Sequence, residues 1–154
     1  MSRLPMERFR QIVRDTPLIS IDLIIYSPDG AVLVGRRNNE PAKGYWFVPG
    51  GRIQKGETRS QAFSRLVRAE LGIEASIESA EFSGVWEHHY ETNALGDPDF
   101  GTHYVVLSYI LRLSQKPQLA LDDQHSDVRW ALPEALRDDP TVHFNTQAYF
   151  RSDA

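Results

Sequence analysis

The sequence predicts an α+β fold, an α/β/α sandwich with a mixed β-sheet, in a single domain covering residues 1–154. Apolar periodicities alternate along the chain as strands, helix, strands, helix, an order that packs a sheet between helical layers. A chain of 154 residues with 41% hydrophobic residues holds enough apolar material for one core. No internal repeat, low-complexity segment or interdomain linker divides it.

The elements follow in order. Met6 to Arg14 reads as a short amphipathic helix with Phe9, Ile12 and Val13 on one face. Leu18 to Tyr26 is rich in β-branched residues and interrupted by Asp22. Ser27-Pro28-Asp29-Gly30 is a turn, because proline presets φ and glycine permits a positive one. Ala31 to Arg36 returns as the second strand of a hairpin. Asn38 to Tyr45 is a polar loop into Trp46-Phe47-Val48-Pro49, and Gly50-Gly51 reads as a tight turn whose backbone approaches a ligand closely. Thr58 to Leu71 is a helix closed by Gly72, its stripe formed by Phe63, Leu66, Val67 and Leu71. Ala75 to Tyr90 and His103 to Leu113 read as strands around the loop Glu91 to Thr102. Val128-Arg129-Trp130 is a short strand, Pro133 to Arg137 a helical turn, and Asn145 to Phe150 a terminal helix.

Composition excludes several classes. A net charge of -4 without a basic tail argues against nucleic-acid polymers and membrane surfaces as partners. Zero cysteines exclude a disulfide framework and a thiol nucleophile. The start, MSRLPMERFRQIV, carries charges where a signal peptide needs an apolar core. The expectation is a soluble, cytoplasmic protein.

The most informative run is Gly51 to Ile73, GRIQKGETRSQAFSRLVRAELGI. Glu70 sits along the edge of the helix's apolar stripe, where a carboxylate is costly unless paired or bound to a metal. The run resembles the box of the Nudix hydrolases, with Gly51, Glu57, Arg65, Glu70, Gly72 and Ile73 on its pattern and Leu66 and Ala69 where the pattern has two more glutamates. The resemblance implies a Nudix-type sandwich. It also implies a divalent-metal hydrolase, but one lacking two carboxylates that would hold metals and ready a water to attack phosphorus.

The segments TPLISIDLII, GRRNNEPAKGYWFVPGGRIQKGET, FSGVWEHHY, THYVVLSY and DDQHSDVRW extend the likeness over roughly residues 6–150. They resemble the Nudix branch of GDP-mannose mannosyl hydrolases, which cleave a nucleotide sugar at carbon. That chemistry agrees with the missing glutamates. Attack on an anomeric carbon passes through an oxocarbenium-like state, and neutralising a departing diphosphate needs fewer carboxylates than clamping both oxygens of a phosphoryl transfer.

The water then needs another base, and His125 is the candidate, since its ordinary pKa lies near neutrality. The resemblance implies one Mg²⁺ per site, with Mn²⁺ as a possible substitute, held by Glu70, the Gln124 side-chain oxygen and the Gly50 carbonyl, an all-oxygen set that suits Mg²⁺. It places Arg37, Arg52 and Tyr104 at the diphosphate, where arginine's planar fork donates in pairs, and Asp22 and His88 at the sugar. Asp22, a carboxylate inside an apolar strand, points to a polar task independently. Arg65 is read as orienting the helix glutamates, and Glu57 as a helix cap or dipole partner. GDP-mannose and GDP-glucose are the implied substrates and a homodimer the implied assembly. The competing readings are an ordinary Nudix pyrophosphohydrolase, against which Leu66 and Ala69 argue, and a non-catalytic nucleotide-sugar sensor, against which Glu70, Gln124, His125 and both arginines argue.

Overall fold

The computed structural model describes residues 4–118 and 125–151, with His125 and Ser126 described in backbone only. Helix α1 (Met6–Asp15) leads to strand β1 (Leu18–Tyr26), then β2 (Val32–Arg37), β3 (Trp46–Phe47) and β4 (Gly50–Arg52). Helix α2 (Arg59–Leu71) follows, then β5 (Glu81–Tyr90), β6 (Thr102–Arg112) and β7 (His125–Ala131). The chain closes with α3 (Pro133–Asp138), α4 (Phe144–Gln147) and a 3-10 turn, Ala148–Phe150.

The seven strands form one mixed sheet in which β3, β2, β1, β6 and β5 lie side by side, with β4 added to β1 and β7 to β2. Only β1 and β6 run parallel, from Leu18 opposite Tyr104 to Tyr26 opposite Arg112. β1 is buried along most of its length because both of its faces are covered. Ile21, Leu23 and Ile25 pack under Ala62, Phe63, Leu66, Val67 and Leu71 of α2. Ile24, on the opposite face, joins Val32, Val34, Trp46, Leu136, Val142 and Phe150 under α3 and α4. The expected sandwich is thus the observed one.

α2 begins and ends by chemistry legible in its sequence. The Thr58 hydroxyl accepts from Gln61 N at 3.1 Å, and the Gln61 side chain accepts from Thr58 N at 2.9 Å, a reciprocal cap. Gly72 closes the helix at φ 68, a left-handed conformation that costs glycine little.

Several expectations are corrected. Gly50-Gly51 is no turn: both residues belong to β4, paired antiparallel to β1 with Asp22 opposite Gly50 and Ile21 opposite Gly51. Their glycine character serves close packing instead. A β-carbon at Gly50 would come within 2.4 Å of the Ile21 carbonyl oxygen and 2.6 Å of Asp22 Oδ1, and one at Gly51 within 2.6 Å of Leu66 Cδ2. The stretch from Ala75 is not strand throughout: a 3-10 turn, Ile77–Ser79, precedes β5. The strand around Val128 extends from His125 to Ala131, so His125 opens a strand rather than sitting in a loop. Asn145–Phe150 divides into a short α-helix and a 3-10 turn.

One topological feature positions everything that follows. β1 and β2 pair at Tyr26 opposite Val32, beside their connecting turn. Farther along, β1 takes β4 as its neighbour, while β2 takes β3 and β7. The sheet therefore splits, with Asp22 and Gly50 on one side of the split and Arg37, at the far end of β2, on the other.

Candidate active site

Asp22 stands on the α4 side of the sheet, because alternation along β1 sends Ile21 and Leu23 toward α2. Its Oδ2 accepts from the Tyr149 hydroxyl at 2.6 Å. Burial pushes the Asp22 carboxyl up to about 7, against the opposing pull of the Tyr149 hydrogen bond and the Arg37 cation.

Arg37 is held by the loop after β2. Its Nε donates to the Pro41 carbonyl at 2.9 Å and to the Asn39 carbonyl at 3.3 Å, and its guanidinium lies 5.9 Å from the Phe47 ring centre. Arg52 follows Gly50 and Gly51 on β4 and sits over the Phe9 ring of α1 at 5.2 Å. Tyr104 is opposite His88 across β5 and β6. Burial raises its phenol, and the cations of Arg37 and Arg52 oppose that rise. Tyr104 thus lies within electrostatic reach of Arg37, Arg52 and Asp22, and Asp22 within that of Arg37.

His88 and His89 part company as strand alternation demands. His88 is 5% exposed, whereas His89 is exposed and stacks on His103 at 4.2 Å. Burial, followed by the nearby His143 and His89, pushes His88 down to about 4, so its ring is neutral at pH 7. Its Nε2 is buried without a hydrogen-bond partner among the described residues. The ring of Asp22's partner Tyr149 lies 6.1 Å away, so a polar ligand at this point would supply the hydrogen bond that His88 lacks.

Across the sheet, the box is arranged differently from its expected roles. Arg65 is tied to the box glutamate Glu57, which precedes α2. Its Nε donates to Glu57 Oε2 at 2.6 Å and its Nη2 to the Arg52 carbonyl at 2.9 Å, tying the turn before α2 to β4. Glu57 is not the cap, which is Thr58; the Arg65 hydrogen bond holds its carboxyl below the usual range. Leu66 is 5% exposed in the core against Gly51, and Ala69 is exposed. A box carboxylate has become packing at one position and bare surface at the other.

Of the metal set, Gln124 lies outside the described residues. Glu70 is half-buried on α2. Gly50 fits the role through its pairing: Leu23 N donates to the Pro49 carbonyl at 2.8 Å, which makes Asp22 and Gly50 a non-hydrogen-bonded pair and turns the Gly50 carbonyl away from β1. A carbonyl, a carboxylate and an amide form the hard oxygen set that Mg²⁺ takes. Among the described residues no group of three or more His, Asp or Glu side chains is placed to hold a metal. His125 pairs in backbone register with Arg37, and the register shifts between Arg36 and Arg37, leaving Ser126 as an extra residue. Such a bulge breaks the alternation next to His125.

Sequence reasoning missed the contribution of the last residues. Tyr149 holds Asp22, and His143 accepts from Asn145 N through Nδ1 at 3.1 Å while stacking on Phe47 at 4.8 Å. Burial pushes His143 down to about 4. Asn145 lies beside the Tyr90 hydroxyl, and its buried Nδ2 has no hydrogen-bond partner among the described residues. The available signal was the polar pair Asn145-Thr146 inside an otherwise apolar, aromatic terminal segment, which reads as a buried helix face only once its partners are known.

Comparison with known proteins supports this picture at the level of family. The model of the NUDIX domain matches residues 16–151. The low-salt glycan biosynthesis protein Agl8 of Haloferax volcanii is 40% identical over 128 residues, 83% of this chain and 79% of that protein. The ADP-ribose pyrophosphatase of Methanocaldococcus jannaschii is 35% identical over 63 residues, 41% of this chain and 37% of that protein. Among solved structures, a MutT NUDIX hydrolase from Burkholderia pseudomallei superposes with a TM-score of 0.70 at 27% identity, covering 91% of this chain and all of that one.

Proposed function

The chain belongs to the NUDIX domain family, and on that premise we propose that it hydrolyses a nucleoside diphosphate sugar at the sugar carbon. The substrates of this reading are GDP-mannose and GDP-glucose, and the products are GDP and the free sugar. One observation carries it: Leu66 is built into the core and Ala69 carries no carboxylate, so two positions of the metal-binding box take no part in chemistry. The strongly perturbed ionisable groups lie on the other face of the sheet, around Asp22 and His88. The glycan-biosynthesis name of the Haloferax relative is compatible with a sugar nucleotide as substrate.

In this reading Arg37, Arg52 and Tyr104 bind the diphosphate, and Asp22 and His88 bind the sugar. Glu70, Gln124 and the Gly50 carbonyl would hold Mg²⁺, or Mn²⁺ in its place. The ion, when bound, neutralises charge gathering on the departing diphosphate. His125 takes a proton from the attacking water, and inversion at the anomeric centre follows from a single displacement. A cytoplasmic homodimer completes the proposal.

The test is hydrolysis of GDP-mannose with Mg²⁺ in ¹⁸O-labelled water, followed by NMR and mass spectrometry. Label in the sugar, unlabelled GDP and early accumulation of the β-anomer are expected. GMP as product, or label in a phosphate, would establish the ordinary pyrophosphohydrolase reading, which the name of the Methanocaldococcus relative favours. Absence of any turnover would leave the sensor reading. His125→Gln is expected to lower kcat by about 10²–10⁴-fold with Mg²⁺ affinity nearly intact. Glu70→Gln is expected to weaken Mg²⁺ binding and turnover together.

A further inference from the structure

Tyr149 belongs to a closed set of contacts around Asp22. Its hydroxyl donates to Asp22 Oδ2 at 2.6 Å, and its ring meets Trp86 edge to face at 4.9 Å and 89°. Trp86 Nε1 in turn donates to Ser108 Oγ at 2.9 Å. Ser108, fully buried, is the residue opposite Asp22 in the parallel β1–β6 register. Asp22, Tyr149, Trp86 and Ser108 therefore form a loop of contacts that starts and ends on neighbouring strand positions.

A carboxylate has two oxygens and turns freely unless one is tied. Here Oδ2 is tied to Tyr149, and Oδ1 lies at Gly50, in space a side chain at that position would fill, the clash distance being 2.6 Å. The absent side chain leaves room for Oδ1 at Gly50, whose carbonyl β4 turns away from β1.

We infer that Tyr149 is a positioning residue, whose hydroxyl fixes the Asp22 carboxylate so that Oδ1 is presented beside Gly50 to a hydroxyl of the substrate's sugar. The inference rests on the functional reading above and assigns it a residue that neither the box nor the flanking motifs contain. Holding the acceptor in one orientation removes the ordering that each binding event would otherwise require. Tyr149 acts through Asp22, so its effect belongs to the sugar and not to the diphosphate.

Tyr149→Phe deletes one O–H and keeps the ring on Trp86. Wild type, Tyr149→Phe, Asp22→Asn and the double variant are compared by kcat/KM for GDP-mannose, and by calorimetric affinity for GDP-mannose and for GDP. Tyr149→Phe is expected to lower kcat/KM and GDP-mannose affinity about tenfold, the scale of one hydrogen bond to a charged group. GDP affinity is expected to stay within about twofold. In the Asp22→Asn background the same change should alter GDP-mannose affinity by less than about twofold, because the neutral amide no longer offers the hydroxyl a charged acceptor to fix. A merely structural role would weaken GDP as well and would multiply with Asp22→Asn; either result overturns the assignment. Wild type that releases GDP and sugar, matched in every constant by Tyr149→Phe, overturns the role of Tyr149 alone. Wild type that yields GMP, or nothing, overturns the functional reading and this role with it.

Discussion

The two faces of β1 differ in kind. Toward α2, Ile21, Leu23 and Ile25 meet Phe63, Leu66 and Val67 in a dry apolar core. Toward α4, Asp22 is bonded to Tyr149, whose ring lies beside His88, and acts on Tyr104, all of them displaced from their ordinary pKa values. One strand thus gives Ile21, Leu23 and Ile25 to the apolar core under α2, and on its other face sets the ionisable Asp22 beside the apolar Ile24. The difference teaches that the two box positions without carboxylates lie in the apolar core and on the surface, while groups whose burial is unfavourable unless a partner or ligand compensates lie on the opposite face.

The sharpest test of this division is Phe63→Ala, which should reduce stability by about 3–5 kcal/mol in denaturant unfolding. Because Phe63 lies wholly on the apolar face, the folded variant should bind GDP as the wild type does. A large loss of GDP affinity would break the division between faces.

Gly50 and Gly51 set the same comparison at adjacent positions. Gly50→Ala meets the Ile21 backbone and Asp22, neither of which yields, and should cost about 3 kcal/mol along with turnover. Gly51→Ala meets only a leucine methyl, which rotates, and should cost about 1 kcal/mol. Equal losses on thermal or chemical melting would contradict it.

The polar face should also show itself in pH dependence. His88 and His143 are depressed to about 4, so their contribution is present above the unfolded value of 6.5 and lost as pH falls toward 4. Asp22, raised to about 7 from 3.8, has the opposite sign: its contribution is present below 3.8 and lost as pH rises through 7. Between about pH 4.5 and 6.5, His88→Gln should flatten the rise of unfolding free energy with pH by up to about 1.4 kcal/mol per unit. Asp22→Asn should steepen it. Urea midpoints across that range decide both, and unchanged slopes would place these groups in contact with water.

The smallest effect is local. Thr58→Ala removes the hydroxyl half of the reciprocal cap and should lower stability by about 1 kcal/mol with no change in nucleotide binding. A loss of binding would mean that the turn carrying Glu57 and Arg65 reaches the site.

Much of this was legible in the chain. Strand β1, with Asp22 interrupting its apolar residues, and helix α2, between Thr58 and Gly72, follow from local periodicity and capping, which depend on residues a few positions apart. The box with its departures at Leu66 and Ala69 was likewise readable, since a gapped pattern is a property of sequence. Other features required the tertiary structure. Gly50-Gly51 carries the composition of a turn, and only the arrival of β1 on one side and Leu66 on the other makes it a strand. Tyr149 lies 127 positions from Asp22, so no local rule joins them. That Asp22 Oδ2 is tied to Tyr149 while Oδ1 lies at Gly50 is decided by the docking of the last helical turn on the sheet, a contact that exists only once both faces of β1 are covered.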